Sequence, residues 1–362
     1  MGSTRDVSVL VAMSGGVDSS MAAALLVEGG YQVTGVTLHL WSEEEGFRPG
    51  PASCCSLEAV EGARRVCQQL GIPHYVFNFR EEFQRLVVED FVREYGRGRT
   101  PNPCLACNRW IKFRLLLDRA QVLGFSYLAT GHYARIRRNA EGYHLWRGRD
   151  RRKDQSYVLY MLGQAELSRL LFPVGEMTKE EVRREAARRG LATAGRPESQ
   201  EICFIPDNDY RRFLSARLPA RPGPIYDLAG NLLGTHRGLP NYTVGQRKGL
   251  GLSGRPHPLF VVALKPEENA LIVGPEEALL CPALEAGEVS FVSGRWPEEP
   301  LRVEAKVRYR TPEAPAWLFP LEPGRVQVKF DVPQRAITPG QAVVFYRGEE
   351  VLGGGTILQP WG

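Results

Sequence analysis

No apolar run in this 362-residue chain approaches the ~20 residues that a membrane-spanning helix requires. Nor does a secretory apolar stretch follow the first residues, because Met1 to Arg5 lead straight into a strand-like segment. These two absences predict a soluble cytoplasmic protein with no membrane partner. The seven cysteines (Cys54, Cys55, Cys67, Cys104, Cys107, Cys203 and Cys281) are odd in number and scattered, which argues against a structural disulfide framework. Cys104 and Cys107 form a Cys-x-x-Cys pair, but no second such pair and no His-x-x-x-His accompanies it. A structural zinc site would therefore lack half its ligands. The chain also has no Gly-Lys-Ser/Thr after its Gly-rich loop and no Gly-x-Gly-x-x-Gly there, so neither a Walker loop nor a dinucleotide fingerprint is present. The formal net charge of +5 permits a nucleic-acid partner without requiring one.

What is present reads as two or three domains, since the length exceeds what one core usually serves. Val7 to Met13, Val33 to Leu40, His74 to Phe79 and Tyr127 to Thr130 are short apolar runs of the buried parallel-strand type. Between them Met21 to Glu28, Leu57 to Leu70, Phe83 to Tyr95 and Ile111 to Leu123 have helical character, three of them stopped by glycine. This alternation predicts a doubly wound, Rossmann-like α/β domain over residues 1–212. Thr178-Lys179-Glu180-Glu181 is a capping-box helix start. From about Arg221 onward Pro and Gly punctuate short β-rich runs, which predicts a small central domain over 213–275 and a β-barrel over 276–362.

Ser14-Gly15-Gly16-Val17-Asp18-Ser19-Ser20 sits between the first strand and the first helix. The adjacent glycines let the backbone turn tightly and aim N–H groups at an anion, and the helix start adds positive potential. Ser14 and Ser19 offer hydroxyl donors, while Asp18 suits a Mg²⁺ ion that accompanies a phosphate. In this context the loop resembles that of the PP-loop ATP pyrophosphatases, which implies cleavage of ATP to AMP and pyrophosphate with adenylation of a substrate oxygen.

Thr100-Pro101-Asn102-Pro103-Cys104-Leu105-Ala106-Cys107-Asn108 opens a helix, and its prolines impose an extended approach. Cys107 then falls near a helix N-terminus, where the dipole favours a thiolate. Far downstream, Ser199-Gln200-Glu201-Ile202-Cys203-Phe204 supplies another thiol. Two such thiols are the minimum set for persulfide chemistry, one carrying the terminal sulfur and the other resolving it. Cys54, Cys55, Cys67 and Cys281 read as ordinary small residues.

These segments, together with Thr130-Gly131-His132-Tyr133, Lys153-Asp154-Gln155-Ser156-Tyr157 and Tyr242-Thr243-Val244-Gly245-Gln246-Arg247-Lys248-Gly249-Leu250-Gly251, closely resemble the bacterial tRNA-specific 2-thiouridylases over nearly the whole chain. The resemblance implies ATP-dependent sulfur transfer to C2 of the wobble uridine in tRNAs for Lys, Glu and Gln. It implies ATP binding by Ala12, Met13, Ser14, Gly15, Gly16, Val17, Asp18 and Ser19, with Leu38 and Gly131 beside the nucleotide. Asn102, Pro103 and Cys104 face the target base, Cys107 is the nucleophile, and Cys203 carries the persulfide. His132, Lys153, Asp154, Gln155, Arg308, Tyr309 and Gln341 contact tRNA. Leu38 stands where relatives often have Met, Cys104 where some have Asp, and Glu201 where Asp is more usual. Cys104, Cys107 and Cys203 together raise a second mechanism, a [4Fe–4S] cluster with one open iron. An upstream sulfur donor is implied, either a cysteine desulfurase or a sulfur-relay protein, with the enzyme itself a monomer.

Arg135, Arg137, Arg138, Arg147, Arg149, Arg151, Arg152 and Lys153 cluster around Tyr133, Tyr143 and Trp146, a mixture suited to phosphates and unstacked bases. Arg247-Lys248 and the Lys306-to-Arg310 segment add to it, whereas Arg183, Arg184, Arg188 and Arg189 read as a solvated helix face. Three rivals share parts of this pattern. An amidating PP-loop enzyme has no need of Cys107 or Cys203, an RNA-binding module has no need of ATP, and a thiolase for another tRNA base shares the chemistry.

Overall fold

The computed structural model describes residues 4–41, 57–197, 202–205, 209–252, 254 and 257–361. Cys54, Cys55, Ser199, Gln200 and Glu201 lie outside them. Five parallel strands form the first sheet in the order β3-β2-β1-β4-β7, with β1 Ser8–Ala12, β2 Gln32–His39, β3 His74–Asn78, β4 Tyr127–Ala129 and β7 Leu170–Leu171. Val9, Leu10 and Val11 of β1 are wholly buried because helices cover both faces, which is why the strand reads as a continuous apolar run. The longer helices among the described residues are α1 (Val17–Glu28), α2 (Leu57–Gln69), α3 (residues 80–96), α4 (residues 103–122) and α5 (Lys179–Arg188). The expected doubly wound domain is therefore present, and strand order reverses beside β1, where such folds bind ligands.

Both α3 and α4 carry π-helical winding, over Gln84–Val88 and Cys107–Leu116. Helix α4 starts eight residues before Ile111, the first residue of the helix expected there, because Asn102 caps it: its Oδ1 accepts the Cys104 N–H at 3.0 Å, and Pro103 takes the first helical position.

Beyond the first domain, β8 (Gly223–Tyr226), β9 (Leu232–His236), β10 (Phe260–Lys265) and β11 (Ala270–Gly274) make a small sheet in the order β10-β11-β8-β9. Six antiparallel strands then close into a barrel: β12 (Leu280–Phe291), β13 (Leu301–Lys306), β14 (Ala314–Pro320), β15 (Val326–Arg335), β16 (Ala342–Arg347) and β17 (Glu350–Trp361), with β12 pairing with both β15 and β17. Leu284, Ala316, Leu318, Val326, Val328, Val343 and Phe345 fill it.

The hairpin of β5 (Ala134–Asn139) and β6 (Gly142–Arg147) was absent from the sequence expectation. It leaves the first domain and joins the barrel sheet, pairing Trp146 with Glu350 and Leu145 with Val351. Leu145, Tyr157, Val292, Val344, Tyr346 and Val351 accordingly share one core with Phe83, Phe91 and Leu116 of the first domain. Among the described residues no helix is long and apolar enough to cross a membrane.

Candidate functional site

The Gly-rich loop follows β1 at the C-terminal edge of the parallel sheet. Gly15 has φ +69°, and a Cβ there would lie 2.3 Å from the Ala59 carbonyl oxygen of α2, so only glycine fits. The loop is pre-shaped by its serines. The Ser14 N–H donates to Ser19 Oγ at 3.2 Å, the two hydroxyls lie 3.2 Å apart, and the Ser19 and Ser20 hydroxyls donate to the Gly16 carbonyl at 3.1 and 2.9 Å. Met13 is fixed by donating its N–H to Val36 O at 2.7 Å. Leu38, 9% exposed, sits near the end of β2 among the core side chains. Gly131 closes the loop from β4, where a Cβ would stand 2.6 Å from the Ser19 nitrogen.

Asp18 does not face open solvent alone. Lys179 Nζ donates to both its oxygens at 2.7 Å, and the Tyr133 hydroxyl donates to Oδ1 at 2.7 Å. Lys179 is only 7% exposed and Tyr133 only 2%. Arg196 adds a further cation, its Nη1 donating to the Gly15 carbonyl at 2.9 Å. Sequence reasoning assigned no role to Lys179 or Arg196 and treated Tyr133 as part of a basic surface. For Lys179 a signal existed: a lysine in the first turn of a helix opposes the dipole, so an acidic partner is needed from elsewhere.

Cys107 begins the second turn of α4, and its neighbour Asn108 is anchored by an Nδ2–H to Val158 O at 3.2 Å. Cys203 precedes Phe204, which stacks 6.2 Å from Trp41, two residues past the end of β2, and meets Phe83, Phe91 and Phe213. Both thiols are partly buried and pack against the same core. Cys104 is exposed and close enough to Tyr309 for a thiolate there to push the phenol upward, behind burial as the main cause. The three thiols are all described residues, yet among the described residues no group of three or more His, Cys, Asp or Glu side chains is placed to hold a metal ion. Asp18 is a lone carboxylate on the loop, which suits Mg²⁺ arriving with a polyphosphate better than a resident ion.

Six of the seven residues expected to contact tRNA meet along one seam where the sheets adjoin. The Tyr309 hydroxyl donates to Asp154 O at 3.2 Å, and the Asp154 carboxylate accepts from the Gly148 and Ser156 N–H groups at 2.9 and 3.1 Å. Gln155 accepts the Tyr133 N–H at 3.0 Å. Gln341 donates to Thr100 O at 2.6 Å, just before Asn102-Pro103-Cys104. Arg308 donates to Val244 O and Ala336 O at 3.1 and 2.9 Å, tying the central sheet's loop to the barrel. Lys153 lies beside Asp154 in the same turn. The seventh, His132, is elsewhere: 8% exposed, bonded to Thr130 Oγ1 at 2.7 Å and flanked by Phe113 and Phe172. Burial, then the nearby Lys112 charge, holds it neutral well below the ordinary histidine range.

The basic cluster is corrected in part. Arg147 is 4% exposed, pairs with Glu313 at 2.7 Å and stacks on Tyr346 at 3.8 Å, and Arg135 pairs with Glu349. These two bolt the hairpin to the barrel and are not surface cations. Arg137 and Arg138 lie outside, over Trp146 and Tyr143. Cys67 is buried, its thiol pushed up to about 11 by burial alone.

Three family models match in succession: the tRNA methyl transferase HUP domain over residues 7–207, the tRNA methyl transferase PRC-barrel domain over 211–275, and the aminomethyltransferase β-barrel domain over 282–357. The tRNA-specific 2-thiouridylase MnmA of Roseiflexus castenholzii is 57% identical, covering 97% of this chain and 99% of its own. That of Chloroflexus aurantiacus is 57% identical, covering 98% and 99%. Among solved structures, the U34-tRNA thiolase NcsA of Methanococcus maripaludis with its [4Fe-4S] cluster is similar at 17% identity and TM-score 0.34, covering 60% of this chain and 69% of that one. This last likeness is too low to favour cluster chemistry in this chain.

Proposed function

The chain belongs to the tRNA-specific 2-thiouridylase family, and from that membership we propose that it is an ATP-dependent tRNA-uridine 2-sulfurtransferase acting on the wobble uridine of tRNAs for Lys, Glu and Gln in the cytoplasm. In this reading residues 1–212 handle ATP and sulfur, while 213–275 and 276–362 hold the tRNA. ATP sits on Ala12 to Ser19 beside Leu38 and Gly131, and Mg²⁺ comes with it to Asp18, where it offsets phosphate charge. The flipped uridine meets Asn102, Pro103 and Cys104, with Lys153, Asp154, Gln155, Arg308, Tyr309 and Gln341 along the tRNA and His132 behind them.

The uridine O2 attacks the α-phosphate and pyrophosphate leaves, so that the departing group at C2 becomes AMP. The terminal sulfur of a Cys203 persulfide, loaded by a cysteine desulfurase or sulfur-relay protein, attacks C2 and AMP departs. Cys107 then attacks the Cys203 sulfur, releasing the 2-thio base and leaving a Cys107–Cys203 disulfide for an external thiol to reduce. The observation that carries this reading is that Cys107 and Cys203 are both partly buried against the core that also takes in Leu10 and Ala12 of β1 and Leu38 of β2. Nucleoside mass spectrometry of tRNA from a deletion strain tests it: 2-thiouridine should vanish, and its persistence would refute the assignment.

A further inference from the structure

A thiolating enzyme has reason to spend ATP only when its tRNA is seated, and the structure contains a short covalent and hydrogen-bonded path between the two sites. It rests on the reading that the Lys153-Asp154-Gln155 turn faces tRNA. That turn is bonded to Tyr133 twice: the Tyr133 N–H donates to Gln155 Oε1 at 3.0 Å, and the Gln155 N–H donates to Tyr133 O at 2.9 Å. At its other end the same residue donates its hydroxyl to Asp18 Oδ1 at 2.7 Å. On the far side the turn is held by the barrel, through Tyr309 to Asp154 O and the Tyr157 hydroxyl to Ala342 O at 2.8 Å.

The segment around Tyr133 has no slack in which to lose a displacement. A Cβ on Gly148 would stand 2.7 Å from Tyr133 O, and one on Gly175 would overlap Ala134 O at 1.8 Å. Close-packed surroundings pass a shift on because they cannot compress. Asp18 Oδ1 takes both Tyr133 and Lys179, whereas Oδ2 takes Lys179, so moving the phenol changes how the carboxylate is turned.

We propose that Tyr133 is a positioning residue that couples the tRNA seat to the ATP loop, presenting Asp18 correctly when the 153–155 turn is occupied. The coupling is reciprocal, so tRNA tightens ATP binding by the factor that ATP tightens tRNA binding.

The test uses the full chain, α,β-methylene ATP with Mg²⁺, and an unmodified tRNA transcript bearing a wobble uridine. The quantity read is the ratio of the analogue's dissociation constants without and with saturating tRNA. The unaltered chain should show a ratio of at least about 5, within the usual range of coupling between sites. Tyr133→Phe, which removes only the hydroxyl, should bring the ratio close to one. A merely structural role would weaken both constants together and keep the ratio. Should Tyr133→Phe not fold, Gln155→Leu removes the Oε1 bond to the Tyr133 N–H with the phenol and the backbone bond intact, and should lower the ratio as well. A ratio near one in the unaltered chain, or a retained ratio in the variants, overturns the coupling. A parallel assay for 2-thiouridine separates this from failure of the functional reading: a chain that thiolates but does not couple refutes only Tyr133's role.

Discussion

Lys179 and Asp18 form an ion pair between the first turns of two helices, with the ammonium 2.7 Å from each carboxylate oxygen. Ten residues further along both helices, Arg189 pairs with Glu28 at 2.6 and 2.8 Å. The equal spacing means that α5 lies parallel to α1 and in register with it. The outer pair fixes that register, while the inner pair delivers a nearly buried cation to the ATP loop. Replacing Lys179 with Met keeps most of the volume and leaves Asp18 with its bond from the Tyr133 hydroxyl. Stability should fall by about 2 kcal/mol, below the full penalty for a broken buried pair because Asp18 retains some water contact. Pyrophosphate release in the presence of tRNA should slow by about tenfold or more, since a fixed cation beside the phosphates is lost. Urea unfolding and a pyrophosphate assay read the two effects separately.

Cys203→Ser removes the proposed sulfur carrier from a partly buried site without a large change in volume. Formation of 2-thiouridine should drop below detection while the tRNA dissociation constant stays within about twofold, because the seam proposed to hold tRNA is built from other residues. Cys107→Ser should also stop turnover, yet leave a sulfur adduct on Cys203 that intact-protein mass spectrometry detects. Thiolation retained by either variant would exclude the two-thiol route.

Gly131→Ala asks whether the close approach of β4's end to α1 matters. An added methyl would stand 2.6 Å from the Ser19 nitrogen and 2.7 Å from the Asp18 carbonyl carbon, both backbone atoms that cannot swing aside. The helix start must move, with a stability cost of about 2 kcal/mol and a marked loss of ATP binding. Calorimetric titration with the non-cleavable analogue checks it; unchanged affinity would mean that the loop tolerates the shift.

His132 and His74 give the protein an acid sensitivity of predictable sign. Burial is the first cause in both, with Lys112 and Arg64 adding to it, and both are held below 6.5 in the folded chain. The unfolded chain therefore binds protons first as pH falls. Their stabilising contribution is full above about pH 6.5 and declines below it, by no more than about 1.4 kcal/mol per pH unit for each group. His132→Gln should flatten the decline in urea midpoints between about pH 8 and pH 5, and an unchanged slope would assign the sensitivity elsewhere.

The parts of the fold legible in the sequence are those governed by local pattern. Strands β1 and β2 read as apolar runs because both faces are buried, and the Thr178 capping box is realised, with the Glu181 N–H on Thr178 Oγ1 and the Glu181 carboxylate on the Thr178 N–H. The hairpin β5–β6 was not legible. Its Ala134-Arg135-Ile136-Arg137 alternation has strand period, but what seats the hairpin in a sheet is the pairing of β6 with β17, far away in sequence. The same distance hid the destinations of Arg135 and Arg147, which look like an RNA surface until Glu349 and Glu313 arrive. The ATP loop was legible because its chemistry is contiguous. Lys179 was not, since its partner lies 161 positions earlier.

The union of β6 with β17 also sets a schedule for biosynthesis. During synthesis the nucleotide domain emerges with its hairpin complete, but one edge of β6 waits for Glu350 and Val351, more than half the chain later. Until then an exposed strand edge is available to any other chain. The ends of β5 and β6 lead to Tyr133 and toward the 153–155 turn, so a nascent protein that has built its ATP loop still lacks the buttress for its proposed tRNA seat. Catalytic competence is thus deferred to the final strand.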